Sequence, residues 1–121
     1  MSKRILVVED QADNRRIMRD LLTRSGYEIV EAVTGEEGVT LAEAQQPDLI
    51  LMDIQLPVID GYEAARRIKA NPALHHIPII AVTSYALSGD DVKAYAAGCN
   101  DYVAKPFSPR ALLAKVREYL P

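Results

Sequence analysis

The sequence contains a single cysteine, Cys99, among its 121 residues. One cysteine cannot form an intramolecular disulfide, and it cannot supply the several thiolates of a cysteine-based zinc site. A chain of this length does not need such cross-links, because on folding it buries roughly two-thirds of the surface of its unfolded state. We therefore expect a reduced protein that is held together by one hydrophobic core.

Long hydrophobic runs are also missing. The longest apolar runs, such as Ile5 to Val8 and Leu49 to Met52, are far shorter than the roughly 20 residues of a membrane helix. The first residues, Met1 to Leu6, lack the apolar segment and the cleavage site of a signal peptide. These absences predict a cytoplasmic protein that makes no contact with a membrane.

The sequence also lacks an excess of positive charge. The sequence contains fourteen Lys and Arg residues and seventeen Asp and Glu residues, so the formal net charge is −3. A dedicated nucleic-acid-binding domain usually gathers a basic excess into a patch, so we expect no direct contact with nucleic acid. The 49% apolar and 26% charged residues are typical of an ordinary globular domain, and the length predicts one domain over residues 1–121.

Short apolar runs alternate with helical patterns along the chain. Three of the runs are continuous and rich in β-branched residues, which is typical of strands buried on both faces of a parallel sheet. Tyr27 to Ala32 mixes polar and apolar positions and predicts an edge strand, and Asp101 to Ala104 predicts a short fifth strand. The three buried runs are Ile5 to Val8, Leu49 to Met52 and Ile79 to Val82.

Five segments carry the spacing and the end signals of helices. Thr34, Ser88 and Ser108 are predicted N-caps, and Gly98 is a predicted stop signal. Five strands that alternate with five helices predict a doubly wound α/β sandwich. The predicted helices cover Asp13 to Arg24, Gly35 to Gln46, Tyr62 to Ala70, a segment after Ser88 and a segment that begins at Pro109.

Polar and charged residues follow four of the predicted strands. In an open parallel sheet ligands bind at the carboxyl ends of the strands, so these side chains are expected to converge. Three carboxylates in one crevice would repel each other without a cation, and hard oxygen ligands suit Mg²⁺. The set predicts a phosphoryl-transfer site with a nucleophilic aspartate. The residues are Glu9-Asp10 after strand one, Asp53 after strand three, Thr83-Ser84 after strand four and Lys105-Pro106 after strand five.

Taken singly, each of these residues has a simpler interpretation. An acid at a strand end is often a helix cap or a solvated turn residue. Lys105 alone would be an ordinary surface lysine, and Thr83 alone an ordinary strand residue. The joint pattern favours a functional site, because all four positions agree.

The order of these motifs resembles the response-regulator receiver domain of two-component signalling, over essentially the whole chain. Within that family, the motifs are most similar to those of stand-alone cell-cycle receivers and of receivers attached to hybrid kinases. The resemblance implies a flavodoxin-like (βα)5 sandwich with strand order 2-1-3-4-5, and one receiver domain over residues 1–121 without an output domain. The motifs are Val7-Val8-Glu9-Asp10, Leu51 to Pro57 with Asp60-Gly61, Ala81-Val82-Thr83 and Tyr102 to Phe107.

The resemblance also implies the roles of the acids. Asp53 would be the phosphoacceptor, taking a phosphoryl group from a phosphohistidine on a histidine kinase or a histidine phosphotransfer protein. Mg²⁺, with Mn²⁺ as an expected substitute, would be bound by Asp10, by Asp53, by the backbone carbonyl of Gln55 and, through water, by Glu9.

Further positions would bind the phosphoryl group and carry the switch. Lys105 would pair with phosphoryl oxygens, Thr83 would donate a hydrogen bond to another, and Tyr102 would turn inward as Thr83 moves. The Lys105–Pro106 peptide bond would be cis, which only a bond before proline tolerates at low cost.

Some residues depart from the family pattern. Glu9 stands where Asp is more usual, and Ser84 stands where Ala is common. Gln55 and Tyr85 occupy positions that tune how fast the phosphoryl group is lost. No required group is missing, so an active receiver is expected.

The predicted output is protein–protein contact with a downstream target, not catalysis of an independent reaction. The domain would only assist its own phosphorylation and dephosphorylation, as a monomer or as a weak dimer that phosphorylation modulates. The readout surface would be the fourth helix, fifth strand and fifth helix, with Tyr95, Tyr102 and Tyr119. The phosphodonor would dock on the first helix, where Asn14, Arg15 and Met18 are candidates. The alternative interpretation places Met18 in the core and Arg15-Arg16 on a solvated face.

Two alternatives come from other functional classes. A Mg²⁺-dependent phosphatase of the haloacid-dehalogenase kind also forms an aspartyl phosphate, but it expects Asp-x-Asp after the first strand, whereas Asp53-Ile54-Gln55 follows the third. A flavin carrier of similar fold needs a Gly- and hydroxyl-rich loop after strand one, where Glu9 and Asp10 would repel the phosphate.

Overall fold

Strands and helices alternate strictly along the chain in a computed structural model that describes residues 2–84 and 89–121. Almost every bound agrees with the sequence prediction to within one residue. The strands are β1 (Arg4–Val8), β2 (Glu28–Ala32), β3 (Leu49–Asp53), β4 (Ile79–Thr83) and β5 (Asp101–Ala104). The helices are α1 (Ala12–Arg24), α2 (Gly35–Gln45), α3 (Gly61–Ala70), α4 (Asp90–Ala96) and α5 (Pro109–Tyr119).

The five strands form one parallel sheet in the order β2-β1-β3-β4-β5. Strands β3 and β4 are buried along their whole length, whereas β2 at the edge is only half-buried. This is the predicted flavodoxin-like fold, and the continuous apolar runs are the central strands because helices cover both faces of the sheet.

The sheet divides the expected single hydrophobic core into two, and successive side chains of each strand point into opposite ones. On one face Leu6 and Ile50 pack under α2, α3 and α4, and on the other Ile5 and Leu49 pack under α1 and α5. Met18 of α1 belongs to the second core and is 1% exposed. Of the two interpretations of Met18, the core position is therefore correct and the docking role is wrong, because its position in the helix points it at the sheet.

The predicted caps are confirmed where the structure describes them. The hydroxyl of Thr34 accepts a hydrogen bond from the backbone N–H of Glu37 at 3.0 Å, and Ser108 does the same for Ala111 at 3.0 Å. The predicted cap Ser88 lies outside the described residues, and α4 begins at Asp90 with Gly89 as its N-cap. Thr34 and Ser108 thus fix where α2 and α5 start.

Two backbone features lie on either side of β5, Gly98 before it and the Lys105–Pro106 bond directly after it. The Lys105–Pro106 peptide bond is cis, as expected. Gly98, the predicted stop signal after α4, has a φ of +99°, a conformation that glycine adopts without steric cost. Across the described part of the chain, no helix is both long enough and apolar enough to span a membrane.

Candidate functional site

Three carboxylates meet at the carboxyl edge of the sheet. Glu9 and Asp10 follow β1, and Asp53 ends β3. Because Val8 of β1 lies beside Met52 of β3 in the parallel register, the residues that follow them are also neighbours. One carboxylate oxygen from each acid lies within 4.8 Å of those of the other two. The sequence prediction that these acids converge is correct.

The three acids differ sharply in exposure. Glu9 is fully buried and Asp53 is 2% exposed, whereas Asp10 is exposed. Burial, with the nearby charge of Asp53, raises the pKa of Glu9 to about 7. The cluster therefore holds more negative charge than this buried site accommodates on its own.

Lys105 supplies the positive charge of the site. Its Nζ lies 3.2 Å from Oε1 of Glu9 and 3.2 Å from Oδ1 of Asp53. Burial works to lower the pKa of Lys105, but the charges of Asp53 and Glu9 outweigh it and raise the pKa. The ammonium group is thus a fixed cation between two carboxylates.

The backbone after β5 holds Lys105 in place. The N–H of Lys105 donates to the carbonyl of Thr83 at 2.7 Å, which extends the β4–β5 pairing by one step. The side chain of Lys105 is 16% exposed, so it reaches inward across the ends of the strands. Thr83 itself, at the end of β4, is fully buried.

The loop after β3 wraps around Asp53. The N–H of Gln55 donates to Oδ1 of Asp53 at 3.1 Å, and the N–H of Gly61 donates to the carbonyl of Ile54 at 3.0 Å. The side-chain Nε2 of Gln55 is buried and has no hydrogen-bond partner within residues 2–84 and 89–121. A buried amide without a partner carries a cost, so this side chain is placed for a further ligand or for water.

The remaining predicted switch residue lies on β5. Tyr102 is partly buried, and its ring meets that of Tyr95 edge to face, with centroids 6.1 Å apart. Tyr95 is 49% exposed, so this pair reaches the surface between α4 and β5. Tyr85, predicted to tune dephosphorylation, lies outside the described residues.

The donor set fits a hard divalent cation. Three carboxylates that lie together provide the oxygen ligands that Mg²⁺ prefers. Asp10 is open to solvent, which leaves room for the water molecules that Mg²⁺ keeps. The residues that could hold the ion are Glu9, Asp10 and Asp53.

Sequence reasoning missed one residue that supports the site. Nη1 of Arg15, which was predicted only as a docking residue, donates to the backbone carbonyl of Glu9 at 2.9 Å. Its Nε lies 3.3 Å from Oε1 of Glu31 on β2. The available signal was its place near the start of α1, which follows the acids directly.

A doubly wound parallel sheet with three acids and a lysine at its carboxyl edge is the architecture of a receiver domain. In agreement, the family model described as "Response regulator receiver domain" matches residues 5–117. The chain belongs to this family, whose general function is that of a phosphorylation-dependent switch in two-component signalling.

Individual relatives agree with this assignment. The chain is 42% identical over 120 residues to the polar-differentiation response regulator DivK of Brucella ovis, a match that covers 99% of this chain and 98% of DivK. It is 40% identical to the receiver domain of a sensor histidine kinase from Pseudomonas aeruginosa, solved with a magnesium ion in its active-site cleft (TM-score 0.92; 99% and 98% covered). It is 25% identical to the chemotaxis response regulator CheY4 of Vibrio cholerae (TM-score 0.93; 98% and 99% covered).

Proposed function

We propose that Asp53 accepts a phosphoryl group from a phosphohistidine on a sensor histidine kinase or on a histidine phosphotransfer protein. The observation that carries this proposal is the position of Lys105, whose Nζ lies 3.2 Å from Oδ1 of Asp53 at the edge where the acids converge. A buried carboxylate beside a fixed cation is suited to nucleophilic attack on a phosphorus atom that already carries negative charge.

The transfer exchanges one bond for another. A carboxylate oxygen of Asp53 attacks the phosphorus, and the P–N bond to the donor imidazole breaks. The electron pair of that bond returns to the imidazole nitrogen, and Asp53 becomes an acyl phosphate. Lys105 then pairs with a phosphoryl oxygen. The phosphoryl group carries a charge of about −1.5 to −2 at neutral pH, in place of the single charge of the carboxylate.

Asp10 and Asp53, with the backbone carbonyl of Gln55 and with Glu9 through water, would hold Mg²⁺ or Mn²⁺ at this edge. When bound, the ion neutralises charge on the oxygens of the transferred group. The convergence of the three carboxylates supports this set of metal ligands, as does the magnesium ion in the cleft of the Pseudomonas aeruginosa receiver.

A groove beside Lys105 supports docking of the phosphodonor along α1. It has a volume of about 550 Å³ and is lined by Asn14 and Ile17 of α1 and by Phe107 after β5. Ile17 is 47% exposed, so this side of α1 offers apolar surface next to the acceptor. Asn14, on the wall of this groove, is therefore proposed as a docking residue, and the buried Met18 is not.

The signal would leave the site through Thr83 and Tyr102. A phosphoryl group on Asp53 gives the Thr83 hydroxyl and Lys105 a shared ligand, which favours one arrangement of the end of β4. Through Tyr102 and the exposed Tyr95 that change would reach the surface between α4 and β5, where a downstream protein would bind. Gln55 and Tyr85 would set how long the phosphoryl group lasts.

The test is phosphorylation by acetyl phosphate with Mg²⁺. Wild type is expected to carry one phosphoryl group, Asp53→Asn none, and the control Asp13→Asn, whose side chain is 88% exposed, the wild-type amount. Equal label on Asp53→Asn would overturn the assignment. Steady turnover of a phosphomonoester, in place of a single labelled aspartate, would favour the phosphatase alternative.

A further inference from the structure

Arg15 of α1 joins the turn that carries the acids to the edge strand β2. Its Nη1 donates to the carbonyl of Glu9 at 2.9 Å, and its Nε lies 3.3 Å from Oε1 of Glu31. The side chain of Arg15 is only 20% exposed. A planar guanidinium suits this position, because it binds two acceptors in fixed directions.

The contact completes the hydrogen bonding of Glu9. Its N–H donates to the carbonyl of Ala32 at 3.0 Å, and its carboxylate accepts from the N–H of Gln11 at 3.2 Å and pairs with Lys105. The carbonyl of Glu9 is the remaining polar group, and Arg15 binds it. Because a peptide unit is planar, fixing this carbonyl also fixes the N–H of Asp10.

Asp10 depends on that backbone for its position. It is exposed, and its carboxylate has no hydrogen bond or ion pair within residues 2–84 and 89–121. Its carboxylate nevertheless lies within 4.8 Å of those of Glu9 and Asp53. The geometry of the Glu9–Asp10 peptide therefore decides whether Asp10 faces the other two acids.

We infer that Arg15 is a positioning residue for Asp10: it holds the Glu9–Asp10 peptide so that Asp10 and Asp53 are presented together to a divalent cation. This inference rests on the proposed function of the site. Glu31 in turn holds Arg15, and the chain offers a matched control in Arg19. Nη1 of Arg19 lies 3.4 Å from Oε2 of the same Glu31, but its contacts within the described residues do not reach Glu9 or Asp10.

The experiment is calorimetric titration of the unphosphorylated protein with Mg²⁺. Arg15→Met is expected to bind Mg²⁺ about tenfold more weakly than wild type, which is typical when a supporting contact to a metal ligand is lost. The Mg²⁺ affinity of Arg19→Met should stay within about twofold of the wild-type affinity, because Arg19 supports no metal ligand. In phosphorylation by acetyl phosphate, Arg15→Met should need about tenfold more Mg²⁺ for half-maximal rate, with a saturating rate within about twofold of wild type. If Arg15 had only a structural role, Arg15→Met would lower the melting temperature but would not raise the Mg²⁺ requirement while leaving the saturating rate unchanged.

Three results would overturn the inference. They are an Mg²⁺ affinity of Arg15→Met within about twofold of wild type, an equal loss in Arg19→Met, and a loss of saturating rate without a change in Mg²⁺ requirement. If Arg15→Met does not fold, Glu31→Gln replaces it in the comparison. Glu31→Gln is expected to bind Mg²⁺ about threefold more weakly than wild type, and an unchanged affinity would overturn the inference. A wild-type protein that binds no Mg²⁺ would instead overturn the proposed metal site itself.

Discussion

Gly61 packs directly against the backbone of Asp53. A Cβ atom at residue 61 would lie 2.7 Å from the Cα of Ile54 and closer still to the carbonyl oxygen of Asp53. The first residue of α3 therefore has to be glycine for the loop after β3 to close over the proposed phosphoacceptor. The Asp60-Gly61 pair in the sequence has this steric basis.

Replacing Gly61 with alanine tests that contact. Gly61→Ala should lower the free energy of unfolding by about 3 kcal/mol, because the obstructing atoms are backbone and cannot rotate away. Gly26→Ala is the control, since residue 26 has open space around it and only its φ of +96° is unfavourable. That control should lose about 1 kcal/mol. Urea denaturation measures both, and equal losses would contradict the steric explanation.

Removing Lys105 should separate phosphorylation from its consequence. Lys105→Ala leaves Asp53 and the acids in place, so acetyl phosphate should still label the protein. The phosphoryl group then lacks its cation, so the backbone NMR shifts of α4 and β5 should not change on phosphorylation. Lys3→Ala, at an exposed position, is the control and should respond as wild type does. A normal response in Lys105→Ala would refute this role.

Mg²⁺ should stabilise the folded protein, because only the folded chain brings the three carboxylates together. At an ion concentration one hundred times the dissociation constant the gain is about 2.7 kcal/mol. Asp10→Asn should lose most of this gain, whereas Asp13→Asn should keep it. Thermal unfolding in Mg²⁺ and in chelator gives the comparison, and a gain that survives Asp10→Asn would remove Asp10 from the ligand set.

Cys99 should be chemically silent in the folded protein. Burial raises the pKa of its thiol to about 11, although the charge of Lys69 works against this. With that pKa, only about one thiol in a thousand is ionised at pH 8, and the side chain is 5% exposed. An aromatic disulfide reagent should therefore label Cys99 quickly in urea and far more slowly in native buffer. Rapid labelling of native protein would contradict the buried position.

The sequence was most informative where burial dictates composition. The runs at Ile5 and Leu49 indicated central strands, because a strand covered on both faces has no polar side. The caps Thr34 and Ser108 were visible because a hydroxyl before a helix satisfies an otherwise unpaired N–H. The convergence of Asp10 with Asp53 followed from parallel strands that end at one edge.

Contacts between distant residues were harder to predict. Nothing in the spacing of Arg15 shows that its guanidinium turns back to the carbonyl of Glu9, since that depends on the rotamer and on Glu31 across the neighbouring strand. The same pattern left the position of Met18 open between core and surface, because one position along a helix turns a side chain by about 100°. The lack of a partner for the side-chain nitrogen of Gln55 among the described residues is likewise a property of packing and not of sequence.

The charged centre is assembled from distant parts of the polypeptide: Lys105 and Glu9 are 96 positions apart. A ribosome must therefore release the chain through residue 105 before Asp53 gains its counter-charge. Incomplete or partly denatured copies would lack the assembled centre. Only a chain synthesised beyond β5 can present all of these charged groups together.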